Sequence, residues 1–476
     1  MTEPHATQGY PHEDPKFWDR ADVEREQRRV FDICNGCRLC FNLCPSFPAL
    51  FDRIDALDPL ASEASGMHLE AGGGMVAEHE AAEKLAHIKV DTANPVERLE
   101  TPDLRRVVDL CYNCKLCYPK CPYTPPHEFA VDFPRLMMRS KFANAAVEGV
   151  KFADKVLGAT DLVGGVMTQV APLVNLGQKL GPGRVVMEKV MGIHRERNLP
   201  DWESGTFEQR FEWRPGPAPE ATPNGTVALF PTCLVNYNDH DLGDAVVEVL
   251  ERSGRRVELP PGQRCCGMPF MDGGDLKNTL KCVDANIEAL LPAARAGKTI
   301  VVPQPTCTFM LKQEYAELRP TAEARTVAGA IRDAGDYLVQ LARKKQLSKD
   351  FKGTLGKVSY HFPCHLKVQN IGYKGKELLE QVPGTEVAVI DRCTGMDGTW
   401  GMRTEFYQLS IKVAGKAVKK LEELAQEDGY ELVASDCNLA GLQLTQLTSR
   451  KTYHPVKLLR AAYRGEAPAK PLGDRS

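Results

Sequence analysis

Two nearly identical cysteine runs constrain this chain more than any other feature. Residues 34–45 read CNGCRLCFNLCP, and residues 111–122 read CYNCKLCYPKCP. Both follow the spacing C-x2-C-x2-C-x3-C-P, which is the bacterial ferredoxin arrangement for [4Fe–4S] clusters. The short gaps let three thiolates face one cluster, and the proline ends the local turn without adding an N–H donor. The spacing therefore predicts two cubane clusters.

In two-cluster ferredoxins the fourth cysteine of each run binds the other cluster. We therefore expect one cluster on Cys34, Cys37, Cys40 and Cys121, and a second on Cys111, Cys114, Cys117 and Cys44. A pair of structural zinc sites is the alternative, although zinc spacings usually pair C-x2-C elements and do not place four cysteines in one run. The flanking segments have helical patterns, which predicts a helical domain around the clusters.

Length and composition narrow the classes of protein to which this chain can belong. The chain has 476 residues, 16 cysteines and a formal net charge of −3, so its charge gives no argument for nucleic-acid binding. Its first residues, MTEPHATQGYPHEDP, do not resemble a secretory signal, and clustered cysteines in such a chain indicate metal or redox chemistry. The longest uncharged apolar stretch, residues 162–178, is shorter than the roughly 20 residues of a spanning helix. We expect a cytoplasmic protein, or one peripheral to the cytoplasmic face of the inner membrane.

Beyond residue 225, short apolar runs alternate with helical runs in two copies. The first copy contains TVALF, RVEL and TIVVP, and the second contains VSYHF, VAVID and ELVAS. This alternation predicts parallel sheets built from β–α–β units. The cysteine motifs also recur: FPTC with FPC, RCCG with RCTG, and QPTC with ASDC. Parallel sheets bind ligands at the carboxyl ends of their strands, so we expect each copy to gather its cysteines at one edge.

With these motifs the chain resembles the iron–sulfur oxidoreductases in which a two-cluster ferredoxin domain precedes two cysteine-rich, or CCG, domains. This family includes the iron–sulfur subunit of anaerobic glycerol-3-phosphate dehydrogenase, the glycolate oxidase iron–sulfur subunit and heterodisulfide reductase-related proteins. The resemblance covers residues 24–463. It implies a multidomain α and α/β fold, in which a helical two-[4Fe–4S] ferredoxin domain is followed by two repeated α/β CCG domains.

The predicted domains follow from these boundaries. They are a flexible tail (1–20), the helical ferredoxin domain (21–145), a helical segment and Pro/Gly-rich linker (146–225), the first CCG domain (226–350), the second, degenerate CCG domain (356–463) and a C-terminal tail (464–476). Residues 144–176 are apolar and carry Lys151 and Lys155. They form either a surface for a membrane or another subunit, or a helix packed under the ferredoxin domain.

The first CCG copy departs from the family pattern at one position. A full CCG motif has a single cysteine, a Cys-Cys-Gly and a C-x2-C pair, and Gln304 stands where that pair begins. The remaining cysteines are Cys233, Cys265, Cys266 and Cys307. Four thiolates can hold a cubane cluster or one zinc ion, and we expect a third [4Fe–4S] cluster here.

The second CCG copy departs further. It keeps Cys364, Cys393 and Cys437, with Thr394 and Ala434 at the other two positions. Three thiolates, helped by His365 or Asp436, could hold zinc or a labile cluster, or the site could be empty. The five-thiolate disulfide-cleaving chemistry of heterodisulfide reductases is therefore not expected in this copy.

The sequence contains no glycine-rich dinucleotide motif, P-loop, nucleophile elbow or zinc-protease pair, and no catalytic residue is assigned. The resemblance then implies an iron–sulfur electron-transfer subunit, which passes electrons between a partner flavoprotein dehydrogenase and a quinone or other carrier. A different hypothesis is a catalytic heterodisulfide or thiol reductase subunit that uses the first CCG site. A third is an assembly factor with zinc-stabilised repeats.

Overall fold

The computed structural model describes residues 9–58, 94–214, 216 and 224–466. Their contacts divide the chain into two units. The ferredoxin unit comprises His12–Cys111 and Cys117–Ala143, and the larger unit comprises Met1–Pro11, Tyr112–Leu116 and Asn144–Ser476. Residues 1–8 and 467–476 of the predicted tails, and residues 215 and 217–223 of the predicted linker, lie outside the described residues.

The ferredoxin unit is helical, as its sequence predicts. Its helices are α1 (Pro15–Trp18), α2 (Arg20–Cys37), α3 (Ser46–Leu57), a 3₁₀ turn (Pro95–Arg98), α4 (Thr101–Leu110), α5 (Cys117–Lys120) and α6 (Phe133–Glu148). Asp19 caps α2 by accepting the Ala21 N–H, and the helix ends at Arg38, whose φ of 50° turns the chain. Phe31, Phe47 and Phe133 pack in a buried core beneath these helices.

The larger unit contains two four-stranded parallel sheets. The first consists of β1 (Thr226–Leu229), β2 (Arg256–Glu258), β3 (Ile300–Val302) and β4 (Ile331–Asp333), and the second of β5 (Lys357–His361), β6 (Glu386–Ile390), β7 (Leu432–Ser435) and β8 (Thr452–Tyr453). Their orders are β2-β1-β3-β4 and β6-β5-β7-β8, so the second sheet repeats the first strand for strand. All six predicted strands are present, and the predicted α and α/β fold class is confirmed. The sequence analysis missed β4 and β8, the short fourth strands.

Helices surround both sheets. Those before and within the first repeat are α7 (Phe152–Gly158), α8 (Thr160–Met167), α9 (Ala171–Lys179), α10 (Gly181–Met191), α11 (Phe207–Glu212), α12 (Thr232–Tyr237), α13 (His240–Arg252), α14 (Met268–Asp272), α15 (Leu276–Arg295), α16 (Pro305–Phe309), α17 (Tyr315–Leu318), α18 (Ala322–Ala330) and α19 (Ala334–Arg343), with a π-helical turn at Met310–Glu314. Those of the second repeat are α20 (Cys364–Lys367), α21 (Lys374–Leu379), α22 (Tyr407–Asp428), α23 (Asn438–Thr448) and α24 (Pro455–Arg464).

The two repeats share one hydrophobic core. Buried residues of both sheets, among them Leu229 and Val301 in the first and Val358 and Tyr360 in the second, belong to a single contact cluster. When the apolar faces of the two sheets pack against each other, more of their β-branched and aromatic side chains leave water than either sheet could bury alone. This core holds the strand ends of both repeats in fixed positions.

The helices between residues 152 and 191 leave many apolar side chains in solvent. Leu162 and Leu173 are each 72% exposed, and Phe152 is 64% exposed. Further exposed apolar residues here are Val166, Val170, Leu176, Leu180, Val186 and Val190. No single helix in the described ranges is long and apolar enough to cross a membrane. The bent pair Phe152–Gly158 and Thr160–Lys179 together has the length and apolar composition of a membrane span.

Candidate metal centres

The first predicted cluster set is gathered in the ferredoxin unit. Cys34 and Cys37 lie in the last turns of α2, Cys40 follows the turn at Arg38, and Cys121 follows α5. All four line one cavity, whose other walls include Phe47 and Phe133. Burial and then the neighbouring thiols raise the pKa of Cys34, and the same effects raise the pKa of Cys40 to about 11. Cys117, which was predicted for the second cluster, also lines this cavity. Cysteines around one apolar cavity fit a buried thiolate-bound cluster.

Basic side chains lie close to this cavity. The Arg38 guanidinium borders it, pairs with Asp55 through Nη1 and Oδ2 at 2.8 Å, and lies 5.2 Å from the centre of the Phe51 ring. Lys120 opposes the rise in the pKa of Cys40. Because a thiolate-bound cluster is anionic, positive charge at its edge stabilises it.

Only three of the four cysteines predicted to bind the second cluster belong to the ferredoxin unit. Cys44 and Cys111 lie close enough that burial, followed by the charge of Cys111, raises the pKa of Cys44 to about 12. Cys117 begins α5 of the same unit. Cys114 belongs to the segment Tyr112–Leu116 of the larger unit. The four-cysteine ligand set of this cluster therefore stays a prediction from the motif.

The segment Tyr112–Leu116 bonds to both CCG repeats of its unit. Lys115, which has a φ of 60°, forms a buried ion pair with Glu314 and lies 5.3 Å from the Phe309 ring centre in the first repeat. Toward the second repeat, the Tyr112 hydroxyl is 3.5 Å from Cys393 Sγ. The cysteine spacing gave no sign that this loop would pack here.

The first CCG site brings together all four of its predicted cysteines. Cys233 lies in α12 after β1, Cys265 and Cys266 lie in the loop after β2, and Cys307 lies in α16 after β3. Cys265 Sγ is 4.0 Å from Cys233 Sγ. Hydrogen bonds with Cys233 and Cys266 lower the pKa of Cys265, and the same bonds raise the pKa of these two partners. Cys266 also bonds to Cys307.

Polar groups that the sequence analysis did not identify surround this site. The Cys265 N–H donates to Asp161 Oδ2 at 2.9 Å, and the Tyr237 hydroxyl donates to Asp161 Oδ1 at 3.3 Å. Burial and then the charge of Cys265 raise the pKa of Asp161 to about 6. The buried Gln304 amide nitrogen, at the missing cysteine position, has no hydrogen-bond partner among the described residues. Asp161 lies far away in sequence, so no local pattern could have identified it.

The thiol spacing bears on what the first site can hold. Four thiolates around one tetrahedral ion at 2.3 Å lie about 3.8 Å apart, close to the 4.0 Å between Cys233 and Cys265. A cubane cluster binds each thiolate to a different iron and needs a wider spread. The distance between Cys233 and Cys265 therefore matches two ligands of a single ion more closely than two ligands of a cubane cluster.

The second CCG site gathers three thiols and one carboxylate. Cys364 begins α20, Cys393 follows β6, and Cys437 caps α23. Burial and then Asp397, followed by Cys114 and the other two cysteines of the site, raise the pKa of Cys364. Burial raises the pKa of Cys437 to about 11. The Asp397 carboxylate, 3.9 Å from Cys364 Sγ, was not among the predicted ligands. Donor atoms of Cys364, His365 and Asp397 lie within 4.8 Å of one another.

Comparison with known proteins agrees with this architecture. The model of the "Citrate utilization protein B Fer4-like domain" matches residues 27–147, and that of the "Cysteine-rich domain" matches residues 227–312. The C subunit of anaerobic glycerol-3-phosphate dehydrogenase from Escherichia coli (strain K12) is 33% identical over 312 residues, which cover 64% of this chain and 76% of the relative. This chain belongs to that family.

Other members align over a shorter part of the chain. Lactate utilization protein A from Bacillus licheniformis is 31% identical over 221 residues, and its counterpart from Bacillus subtilis is 29% identical over the same length. Each alignment covers 44% of this chain and 87% of the relative. The resemblance read from the cysteine motifs is thus confirmed, and the chain is a member of an iron–sulfur subunit family.

Proposed function

We propose that this chain is the iron–sulfur electron-transfer subunit of an oxidoreductase complex, which passes electrons between a partner flavoprotein dehydrogenase and a quinone or other carrier. The observation that carries the proposal is the pair of complete ferredoxin motifs, together with a cavity lined by all four thiols predicted for the first cluster. Two [4Fe–4S] clusters, when bound, each carry one electron at a time. The expected ligands are Cys34, Cys37, Cys40 and Cys121 for the first cluster, and Cys111, Cys114, Cys117 and Cys44 for the second.

The side chains around the first cavity suit this role. Phe47 and Phe133 exclude water, which favours fast electron transfer because less solvent must reorient around the changing charge. Arg38 at the cavity edge partly compensates the negative charge of a reduced cluster. These residues tune a cluster rather than act on a substrate, which supports a carrier role for the chain.

The second ferredoxin motif supplies a direct connection to the CCG repeats. Cys114 lies close enough to Cys364 for the charge of one thiol to raise the pKa of the other. The neighbouring Lys115 bonds to Glu314, in the π-helical turn that follows α16 and its Cys307. We infer that electrons reach or leave the second cubane cluster through this loop, with the first CCG site as the next carrier if it holds a third cluster.

The exposed apolar helices between residues 152 and 191 supply a surface for the electron acceptor or donor. Residues such as Leu162, Leu173 and Leu176 would not stay in water without cost, since each buried CH₂ group gains about 0.8 kcal/mol. We propose that this surface contacts a membrane surface that contains the quinone, or a partner subunit that leads to it. The chain would then be peripheral to the cytoplasmic face of the inner membrane.

Substrate chemistry belongs to a partner in this proposal. The matched relative is one subunit of a dehydrogenase, and this chain has no sequence motif for a flavin or nucleotide. We propose a flavoprotein dehydrogenase subunit as the partner that oxidises a small organic molecule. No nucleic acid takes part.

Iron analysis of anaerobically purified full-length protein tests the proposal. We expect about eight irons per chain, or about twelve if the first CCG site holds a cluster, with electron paramagnetic resonance signals of reduced [4Fe–4S] centres. The variant Cys37→Ser should lose about four irons, whereas Cys282→Ser, a buried cysteine outside every motif, should lose none. Less than half the iron of two cubanes together with stoichiometric zinc would refute the proposal.

A thiol or disulfide reductase remains a second candidate because of one observation. Cys265 lies 4.0 Å from Cys233, and hydrogen bonds from two neighbouring thiols lower its pKa, which favours a reactive thiolate. If this site is catalytic, Cys265→Ser abolishes disulfide reduction while both cubane signals persist. A variant that reduces every disulfide reduced by the wild type excludes this function.

A further inference from the structure

Three side chains that can bind a metal ion meet where two paired strands of the second sheet end. Cys364 and His365 begin α20, shortly after β5, and Asp397 lies in the loop after β6. Their donor atoms all lie within 4.8 Å of one another. His365 is 2% exposed and Asp397 is 6% exposed, whereas Cys364 is partly exposed. A thiol, an imidazole and a carboxylate thus share one edge of a parallel sheet, which is where such sheets bind ligands.

The Asp397 carboxylate lies close to both of the other donors. Its Oδ2 is 3.9 Å from Cys364 Sγ, and its Oδ1 is 3.8 Å from His365 Nδ1. Two ligands of one tetrahedral zinc ion, with a Zn–S bond near 2.3 Å and Zn–N and Zn–O bonds near 2.1 Å, lie about 3.4–3.6 Å apart. Small side-chain rotations therefore bring both observed distances to those of a zinc site.

The His365 ring is already oriented as a metal ligand would be. The Asn113 carbonyl lies 3.2 Å from Nε2 and can only accept, so Nε2 carries the proton and donates to it. The lone pair of the neutral ring is then on Nδ1, beside Asp397, where the Thr306 hydroxyl donates to it at 2.9 Å. Metal-bound histidines usually donate their other ring N–H to a carbonyl or carboxylate. Rotation of the Thr306 hydroxyl would release Nδ1 for a metal ion.

The loop that carries Asp397 has a fixed shape. Gly395 has a φ of 69°, and a Cβ there would collide with the Ser410 carbonyl oxygen, so only glycine fits. The Asp397 carbonyl accepts the Trp400 N–H at 3.0 Å and closes the turn. The position of the carboxylate is therefore built into the fold before any ion binds.

The other two cysteines of this repeat do not belong to the group. Among the described residues, the donor atoms that meet within 4.8 Å are those of Cys364, His365 and Asp397, and neither Cys393 nor Cys437 is included. Cys393 Sγ instead accepts the Gly395 N–H at 3.2 Å. The geometry thus points to a mixed ligand set and not to the three thiolates that the motif predicts.

We propose that Cys364, His365 and Asp397 bind one zinc ion, with a water molecule as its fourth ligand. One thiolate and one carboxylate balance the charge of Zn²⁺, and the neutral imidazole adds none, so the site has no net charge. A neutral site suits burial because uncompensated charge is costly away from water. Three protein ligands with one open position are a common arrangement for zinc, and partly exposed Cys364 gives the water access.

The proposed ion would stabilise the second repeat and would not carry electrons, since zinc has no redox chemistry. It would join the ends of β5 and β6 and, through the bond from His365 to the Asn113 carbonyl, would also fix the loop Tyr112–Leu116. The proposal does not depend on the electron-transfer function, because both cubane clusters could be present whether or not this site holds zinc.

Metal analysis of full-length variants tests the site. Asp397→Ala should lose about one zinc per chain relative to wild type, while its iron content stays unchanged, and His365→Ala should lose the same zinc. Asp397→Cys should keep the zinc because a thiolate replaces the carboxylate. Cys393→Ser should also keep it, since Cys393 is not a ligand in this proposal. The matched control is Asp391→Asn, which alters an exposed partner of Lys367 and should keep all metal.

Zinc X-ray absorption identifies the ligands directly. The wild-type spectrum minus that of Asp397→Ala should show one sulfur neighbour and about three nitrogen or oxygen neighbours. Three sulfur neighbours, or loss of the zinc in Cys393→Ser, would assign the ion to the cysteines of the motif and overturn the proposal. Wild-type protein without zinc, or an Asp397→Ala variant that keeps all of it, would also overturn it. If Asp397→Ala fails to fold, Asp397→Asn takes its place because it preserves the shape of the side chain.

Discussion

The two CCG repeats have the same strand order but different candidate metal ligands. The first places four thiols together, with Cys265 and Cys233 only 4.0 Å apart, whereas the second keeps three thiols and a carboxylate. Both sheets belong to one hydrophobic core that contains none of these ligands. The fold therefore tolerates changes at its metal sites, because burial of apolar side chains and not the metal specifies the sheets.

We expect the two repeats to differ most in how much the melting temperature falls when one of their cysteines is replaced. Cys265→Ser removes one ligand of an all-cysteine site and should lower the melting temperature of the metal-loaded protein by roughly 10 °C, since the metal then binds more weakly. Cys437→Ser should cost less, because the second site already lacks two of the family's cysteines. Calorimetry of both variants measures the difference, and equal losses would contradict the ranking.

The loop Tyr112–Leu116 should bind the first repeat more tightly than the second. Lys115→Met leaves the Glu314 carboxylate, which is 1% exposed, without its cation, and should lower the free energy of unfolding by about 3–5 kcal/mol. The double variant Lys115→Met/Glu314→Gln should recover most of this loss. Urea denaturation checks both values, and a double variant as unstable as the single one would show that the ion pair itself is not the cause.

The second repeat should make the larger unit sensitive to acid. Burial lowers the pKa of His361 to about 4 and that of His454 to about 3. Both bind protons in the unfolded chain near pH 6.5 but not in the folded one, so their stabilisation is present above that pH and is lost as the pH falls toward 4. We expect these two histidines to account for a loss of about 5 kcal/mol between pH 7 and 4.5.

Two substitutions test this explanation. His454→Asn keeps an acceptor for the Val456 N–H, and His361→Gln keeps polar contacts near Ser435. The double variant should have a flatter dependence of unfolding free energy on pH than the wild type. Parallel curves for the two proteins would assign the acid sensitivity to other groups.

The smallest expected effect concerns the contact between the loop and the second repeat. Tyr112→Phe removes the hydroxyl 3.5 Å from Cys393 Sγ but keeps the ring against Trp400, so it should cost about 1 kcal/mol. This is well below the effect of Lys115→Met. If Tyr112→Phe lowered the free energy of unfolding more than Lys115→Met does, the second repeat would be the main anchor of the loop.

Much of the architecture could be predicted from local patterns. The two cysteine runs predicted a helical ferredoxin domain, and alternating apolar runs predicted six parallel strands. The strands β4 and β8 were missed because their residues, IRD and TY, do not form the short apolar run that marked the other six strands. Their fourth position in each sheet depends on pairing with β3 and β7, which are distant in sequence.

The residues of the candidate metal sites also divide into those that the sequence predicted and those that only the tertiary structure revealed. Cysteine spacing, set by the reach of a short loop around one cluster, by itself predicted an iron–sulfur protein and the cysteine ligands of its two cubane clusters. Only the tertiary structure decided that Asp397 lies beside Cys364, that Asp161 accepts the Cys265 N–H, and that Lys115 lies in a buried ion pair with the first repeat. These contacts join residues distant in sequence, or depend on a loop turn that no periodic pattern encodes, so they exist only once the shared core has brought the strand ends together.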